Sequence, residues 1–216
     1  MSGRAQPQAI RLGYEEATTL LMEALEQPEG ARSAFQARIR QLQRIGLLKK
    51  PNGKAYERFS YGLVELAALA TAFRLMAAFI LPIVAVRHIN ERWADFVPAL
   101  LSGIGEQGRS RWDHTPPAGR FVAIEGTALA RLGQKGASDT RYDGPLGAIR
   151  CIGDSDPVET IWNASAAQGV LIDTRAYMAP LVAKLGDLET VSSRQLADEI
   201  DRLRFSHLNG TERPSG

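Results

Sequence analysis

Apolar residues recur at three- and four-residue intervals along four stretches of the first hundred positions. Ala17, Leu20, Leu21, Ala24 and Leu25 predict a helix over 14–27, closed by Pro28 and Gly30. Phe35, Ile39, Leu42 and Ile45 predict a second over 31–45, with Gly46 as its C-cap. Leu63, Leu66, Ala67, Ala70, Phe73 and Ala77 predict a third, running from an N-cap at Ser60 to Phe79. Leu81-Pro82 opens a fourth, striped by Ile83, Val86, Ile89, Trp93, Phe96 and Val97. Pro98 is placed to kink or end it, and Leu100, Leu101 and Ile104 continue the pattern.

Between the second and third helices the period changes. Asn52-Gly53 is a two-residue hairpin signal, because a type I′ turn needs positive φ at both central positions. Residues 47–59 are therefore expected to form a small hairpin, with Pro51 at a strand end. Gly, Arg and Pro dominate 103–119, which reads as a linker. Beyond it, short apolar runs at 120–125, 148–152 and 169–173 predict strands. They alternate with helical stretches at 127–132, 157–167, 175–185 and 192–204. Asp173 or Thr174 is expected to cap the third of these stretches, and Ser192 or Ser193 the last. The expected fold class is mainly α: a winged helix-turn-helix unit over 14–105, a linker at 106–119, and a small α+β domain over 120–208. Residues 1–13 and 209–216 read as flexible ends.

Charge sharpens this picture. Residues 11–30 carry one basic and five acidic side chains, whereas 31–60 carry eight basic and one acidic, net +7. The whole chain is only +2. Such a block is a candidate polyanion footprint. At ~100° per residue, Ser33, Gln36, Ala37, Arg40 and Arg44 fall opposite the apolar stripe of the second helix. Lys49, Lys50, Lys54 and Arg58 lie on the hairpin arms, with Tyr56 beside them. A helix of this kind can present Gln36 and Arg40 to base edges or phosphates, while Arg44 and the hairpin cations neutralise phosphates.

Residues 31–92 resemble the DNA-binding region of MerR-type transcription regulators. The resemblance rests on Ile39-Arg40-Gln41-Leu42-Gln43-Arg44-Ile45-Gly46-Leu47-Leu48, on Arg58-Phe59 followed by Tyr61, Leu63, Val64 and Leu66, and on Phe79-Ile80-Leu81-Pro82-Ile83. Gln41 and Leu42 stand where the family has two tyrosines. The resemblance implies a phosphate-contacting role for Arg40 and a wing role for Arg58. It covers under a third of the chain and implies nothing for 120–216.

The expected partner is double-stranded DNA, with a homodimer built on a seam of Trp93, Phe96, Leu100 and Ile104. An effector or protein partner is expected on the C-terminal domain. Phe73, Phe79, Trp93 and Phe96 read as core or dimer packing rather than as a ligand pocket. Residues 66–86 hold a single charge, Arg74, and approach the ~20 apolar residues of a membrane span. Arg74 near the middle, Glu65 and Pro82 at the ends, and the Ala-rich composition favour two core helices instead. Residues 1–8 lack the apolar core of a secretory signal, so a cytoplasmic location is expected.

His88, His114 and His207 have no ligand spacing, and Cys151, the single cysteine, reads as a small buried hydrophobe. No enzyme, metal or cofactor is expected. Two other readings are an adaptor whose basic block docks an acidic protein surface, and an excisionase-like architectural DNA-binding factor.

Overall fold

The computed structural model describes residues 9–48, 60–108, 119–126, 144–156 and 169–208. Among these the chain is mainly helical: α1 (Tyr14–Ala24), α2 (Arg32–Ile45), α3 (Leu63–Ala77), α4 (Pro82–Ile104), α5 (Arg175–Gly186) and α6 (Ser193–Leu208). Strands β1 (Phe121–Glu125), β2 (Ile149–Ile152) and β3 (Gly169–Asp173) form an antiparallel sheet in the order β2-β1-β3. The expected hairpin at 47–59 and the helical stretches at 127–132 and 157–167 fall wholly or largely outside the described residues.

Helices α1 and α3 begin in the same way, from one knot. Leu12 and Tyr61 form an antiparallel bridge, each N–H donating to the other's carbonyl at 3.0 Å. Each is followed by a glycine N-cap and a glutamate three residues on. Glu16 Oε2 accepts the Gly13 N–H at 2.8 Å, and Glu65 Oε2 accepts the Gly62 N–H at 2.9 Å. This corrects the expected start of the third helix at Ser60. Tyr61 uses both backbone groups in the bridge, so the chain stays extended until Gly62.

A third carboxylate reaches the knot from far along the chain. Glu199 of α6 is 1% exposed, and its Oε2 accepts the Leu63 N–H at 3.0 Å. Its other oxygen lies 2.8 Å from Arg202 Nη1. Negative charge at a helix N-terminus is favourable, because it meets the unsatisfied N–H groups and the positive end of the helix dipole.

Helices α1, α2 and α3 are each followed by a residue of left-handed φ, and of these three residues only the one after α2 is glycine. Gly46 (φ 111) ends α2, while Glu26 (φ 54) and Phe79 (φ 65) follow α1 and α3. At both of the latter ends the next N–H reaches back five residues: Gln27 to the Met22 carbonyl at 2.8 Å, Ile80 to the Leu75 carbonyl at 3.0 Å. Helix α1 therefore stops at Ala24 rather than 27, ahead of Pro28.

The kink in α4 falls at Arg92 (φ −129, ψ 24) and not at Pro98 itself. Pro98 cannot donate to the Ala94 carbonyl and its ring crowds that group. Arg92 pairs with Asp95 across the break, Nε to Oδ2 at 2.5 Å.

Helix α4 is the central pillar. Phe96, Val97, Ala99 and Leu100 are wholly buried, and one hydrophobic core runs from α1 to α6, including Val122, Ile124 and Ile172 of the sheet. The segments on either side of 106–119 therefore share a core. The register puts Val122, Cys151 and Ile172 on the core-facing side of the sheet. Thr174 locks sheet to pillar. Its Oγ1 sits 2.6 Å from the Ala99 carbonyl and 2.7 Å from the Arg120 carbonyl. Gly103 abuts it so closely that a Cβ there would lie 2.5 Å from Thr174 Oγ1.

The expected dimer seam is corrected by this packing. Phe96 and Leu100 are 0% exposed and Ile104 8%, within the chain's own core. Trp93 Nε1 donates to Ser206 Oγ of α6 at 3.1 Å. These side chains are already covered from within the chain. No helix among the described residues is long and apolar enough to cross a membrane. The 66–86 stretch is divided by the turn between α3 and α4.

Two stability predictions follow from these caps and burials. Glu199→Ala leaves the Leu63 N–H unmet in a buried site, and is expected to cost about 1–3 kcal/mol of unfolding free energy, read by urea denaturation. Glu199→Gln keeps an acceptor oxygen and is expected to lose less. His88 is 1% exposed, and its pKa is lowered to about 4 by burial, with Arg92 and Arg87 adding to the shift. Its Nδ1 has no partner among the described residues. The unfolded chain then takes up a proton that the folded one refuses. Stability is expected to be full above pH 6.5 and to fall as pH drops toward about 4. The total loss is about 3 kcal/mol. The slope should flatten in His88→Gln, read by urea unfolding at stepped pH.

Candidate nucleic-acid interface

Helix α2 buries Phe35, Ile39 and Leu42 and turns its other side outward. Ser33, Ala37, Arg40 and Arg44 are all exposed there, with Gln41 beside them. Ser33 and Ala37 are small, so a partner can approach the helix axis closely on the turns that precede the two arginines. Among the described residues Arg40 and Arg44 form no hydrogen bond or ion pair.

The α1-facing flank of α2 is different. Arg32 Nη2 lies 2.9 Å from Glu15 Oε2 and donates to Thr19 Oγ1 at 3.1 Å. Gln36 Nε2 donates to both Glu15 carboxylate oxygens at 3.2 Å, and the Gln36 backbone carbonyl accepts the Tyr14 hydroxyl at 3.2 Å. Gln36, expected to contact bases or phosphates, is half-buried and held by α1. Glu15 thus borders the candidate face and ties up Arg32 and Gln36, which reading the basic block alone misses. Its signal in the sequence is the acidic run of the first helix, which has to pack beside a basic one.

Lys49, Lys50, Lys54, Tyr56 and Arg58 lie outside the described residues. The attachment points of that segment are described. Leu47 and Leu48 follow α2 directly, with Leu47 donating to the Leu42 carbonyl at 3.0 Å. On the return side, Tyr61 accepts a hydrogen bond at its hydroxyl from Gln43 Nε2 at 2.8 Å. Both ends of the cationic segment are therefore anchored at the last turns of α2, next to Arg40 and Arg44.

Two phenols support this junction. Burial raises the pKa of Tyr61, against a smaller lowering by the Gln43 bond. Burial also raises that of Tyr14, against the pull of Arg40. Both are neutral at physiological pH, so the arginine charge is not cancelled by a phenolate. The rings are 6.4 Å apart and tilted by 55°.

No group of three or more His, Cys, Asp or Glu able to hold a metal ion occurs among the described residues. Cys151 is half-buried, donates to the Asp95 carbonyl at 3.4 Å, and has its pKa raised by burial. No known protein family, curated protein or solved structure matches this chain.

Glu15 places a negative charge at the edge of the basic face. Glu15→Gln removes that charge and frees Arg32. If the face meets a polyanion, the variant is expected to bind duplex DNA about threefold to tenfold more tightly in dilute salt, with the gain shrinking as salt rises. A fluorescence-anisotropy titration over a salt series measures this.

Proposed function

We propose that the chain is a double-stranded-DNA-binding regulator in which α2 lies in the major groove and the 49–59 segment acts as a wing along the backbone. The observation that carries this reading is the outer face of α2: Arg40 and Arg44 are exposed and form no hydrogen bond or ion pair among the described residues, the small Ser33 and Ala37 precede them on the same face, and the lysine-rich sequence of 49–59 joins the chain at the C-terminal end of the helix. The acidic Glu15 flank sets one border of that face.

The physics of such a contact is direct. A major groove about 12 Å wide admits one helix, and side chains on its outward face reach base edges. Arg40 and Arg44 can bond the guanine edge or phosphate oxygens through their planar forks. Lys49, Lys50, Lys54 and Arg58 act as phosphate neutralisers, which fix register without reading sequence. Tyr56 takes a backbone contact. Gln36 serves a different role from Arg40: it positions α2 against α1 through Glu15. The helix-bridge-helix knot at Leu12 and Tyr61 supports the winged arrangement, since it returns the wing's exit to the start of α1.

Arg40→Ala and Arg44→Ala are expected to weaken duplex binding at least about tenfold while leaving the unfolding free energy within ~0.5 kcal/mol, because both side chains are exposed. Lys49→Ala or Lys54→Ala is expected to weaken binding uniformly across sequences and to lower the salt slope by about one. Gel shifts with random and genomic duplexes measure both. Duplex binding absent at low salt would defeat the proposal and favour docking of the basic face on an acidic protein.

A further inference from the structure

On its other flank α2 borders an apolar groove, walled opposite by the α3–α4 turn, with a volume of about 550 Å³. Phe35 and Phe73 stack there, with ring centres 4.2 Å apart and planes 8° from parallel. Leu25, Ala34 and Met76 add apolar surface. Phe79 and Leu81 stand on the rim, 91% and 45% exposed. Two cations line the groove, Arg38 from α2 and Arg74 from α3, and none of its lining residues is acidic.

We propose that this groove binds a small amphipathic carboxylate, an aliphatic or aromatic acid whose apolar body lies on the Phe35–Phe73 wall and whose anionic end meets Arg38 and Arg74. Four observations carry it. The volume falls within the ~300–1,000 Å³ of small-molecule sites, which are mostly apolar with a few placed polar groups. Both charged lining groups have the same sign, so the complement is an anion. Arg38 is exposed and has no partner among the described residues. Arg74 is only partly satisfied: its Nη2 reaches the Ala176 carbonyl at a long 3.4 Å, and its buried Nε has no partner among the described residues. The Arg74 guanidinium lies 5.9 Å from the Tyr177 ring centre and keeps N–H groups that a carboxylate in the groove can take in a charge-assisted bond.

Phe79 adds an independent mark. A bulky aromatic residue in the left-handed region is strained, and at 91% exposure it gains little burial in return. A ligand lying against the rim would cover this ring. Phe79 is thus separated from Phe96 and Trp93, whose packing is internal. The site also differs in place from the C-terminal effector site expected from sequence, since it is built from α2, α3 and the turns beside them.

The test is calorimetric titration of the free, full-length protein with decanoate, decanol and decylammonium. It reads ligand binding alone, so its outcome is independent of duplex binding. Decanoate is expected to bind one saturable site at least about tenfold more tightly than decanol, with decylammonium weakest. Arg38→Gln should remove most of the preference for the acid. Ala34→Trp, at an exposed helical position on the groove wall, should abolish binding with the unfolding midpoint unchanged. Phe79→Gly should weaken binding while holding or raising the midpoint, since glycine tolerates this φ. No saturable binding of decanoate below about 1 mM would overturn the proposal. So would equal affinity for the three probes, or binding unaltered in Ala34→Trp.

Discussion

The start of α3 is the place on which the rest of the chain depends. Three sequence-distant pieces converge there within hydrogen-bonding distance: Leu12 ahead of α1, Tyr61 after the basic segment, and Glu199 from α6. A helix N-terminus exposes N–H groups that must be met, and burying it raises the stakes. Glu65 meets one from inside the helix and Glu199 meets another from 136 positions away. The first contact is local to α3, whereas the second forms only when α6 is docked. The knot therefore couples the last helix to the first hundred residues, and fixes where the basic segment returns.

The pillar α4 solves a second problem, that of joining a small sheet to a helical core. A sheet of three strands only four and five residues long needs an apolar surface to pack on. Its Val122, Ile124 and Ile172 face is buried on the common core, and Thr174 ties β1 and α4 through their carbonyls. The close fit of Gly103 to Thr174 lets the backbone of α4 approach the start of α5. The buried Tyr177, whose pKa burial pushes far above the ordinary range, bonds Thr71 at 3.1 Å and closes the same region from the side of α3.

Helix α2 is then held from several sides while three of its surfaces are left to different tasks. One flank is bound to α1 through Arg32, Gln36 and Glu15. The outer face carries Arg40 and Arg44, and the far flank borders the groove with Phe35 and Arg38. Since a helix is rigid over fourteen residues, anything that settles in the groove also bears on the orientation of the outer face. That shared element is the physical basis for relating the two proposed sites.

The sequence by itself determined the elements whose signals are local. Spacings of three and four residues located the helices near their observed positions, Gly46 marked the end of α2, Pro82 the start of α4, and the apolar run at 169–173 coincided with β3. The outward placement of Ser33, Ala37, Arg40 and Arg44 was also legible, because it follows from angular spacing against Phe35, Ile39 and Leu42. Tertiary structure alone decided the start of α3 at Gly62, the commitment of Gln36 to Glu15, the spending of Phe96 and Leu100 on an internal core, and the burial of a carboxylate at position 199. The reason is range. Periodicity and caps within one turn are set by near neighbours, whereas which flank of a helix is covered, and by what, depends on elements tens to more than a hundred residues away.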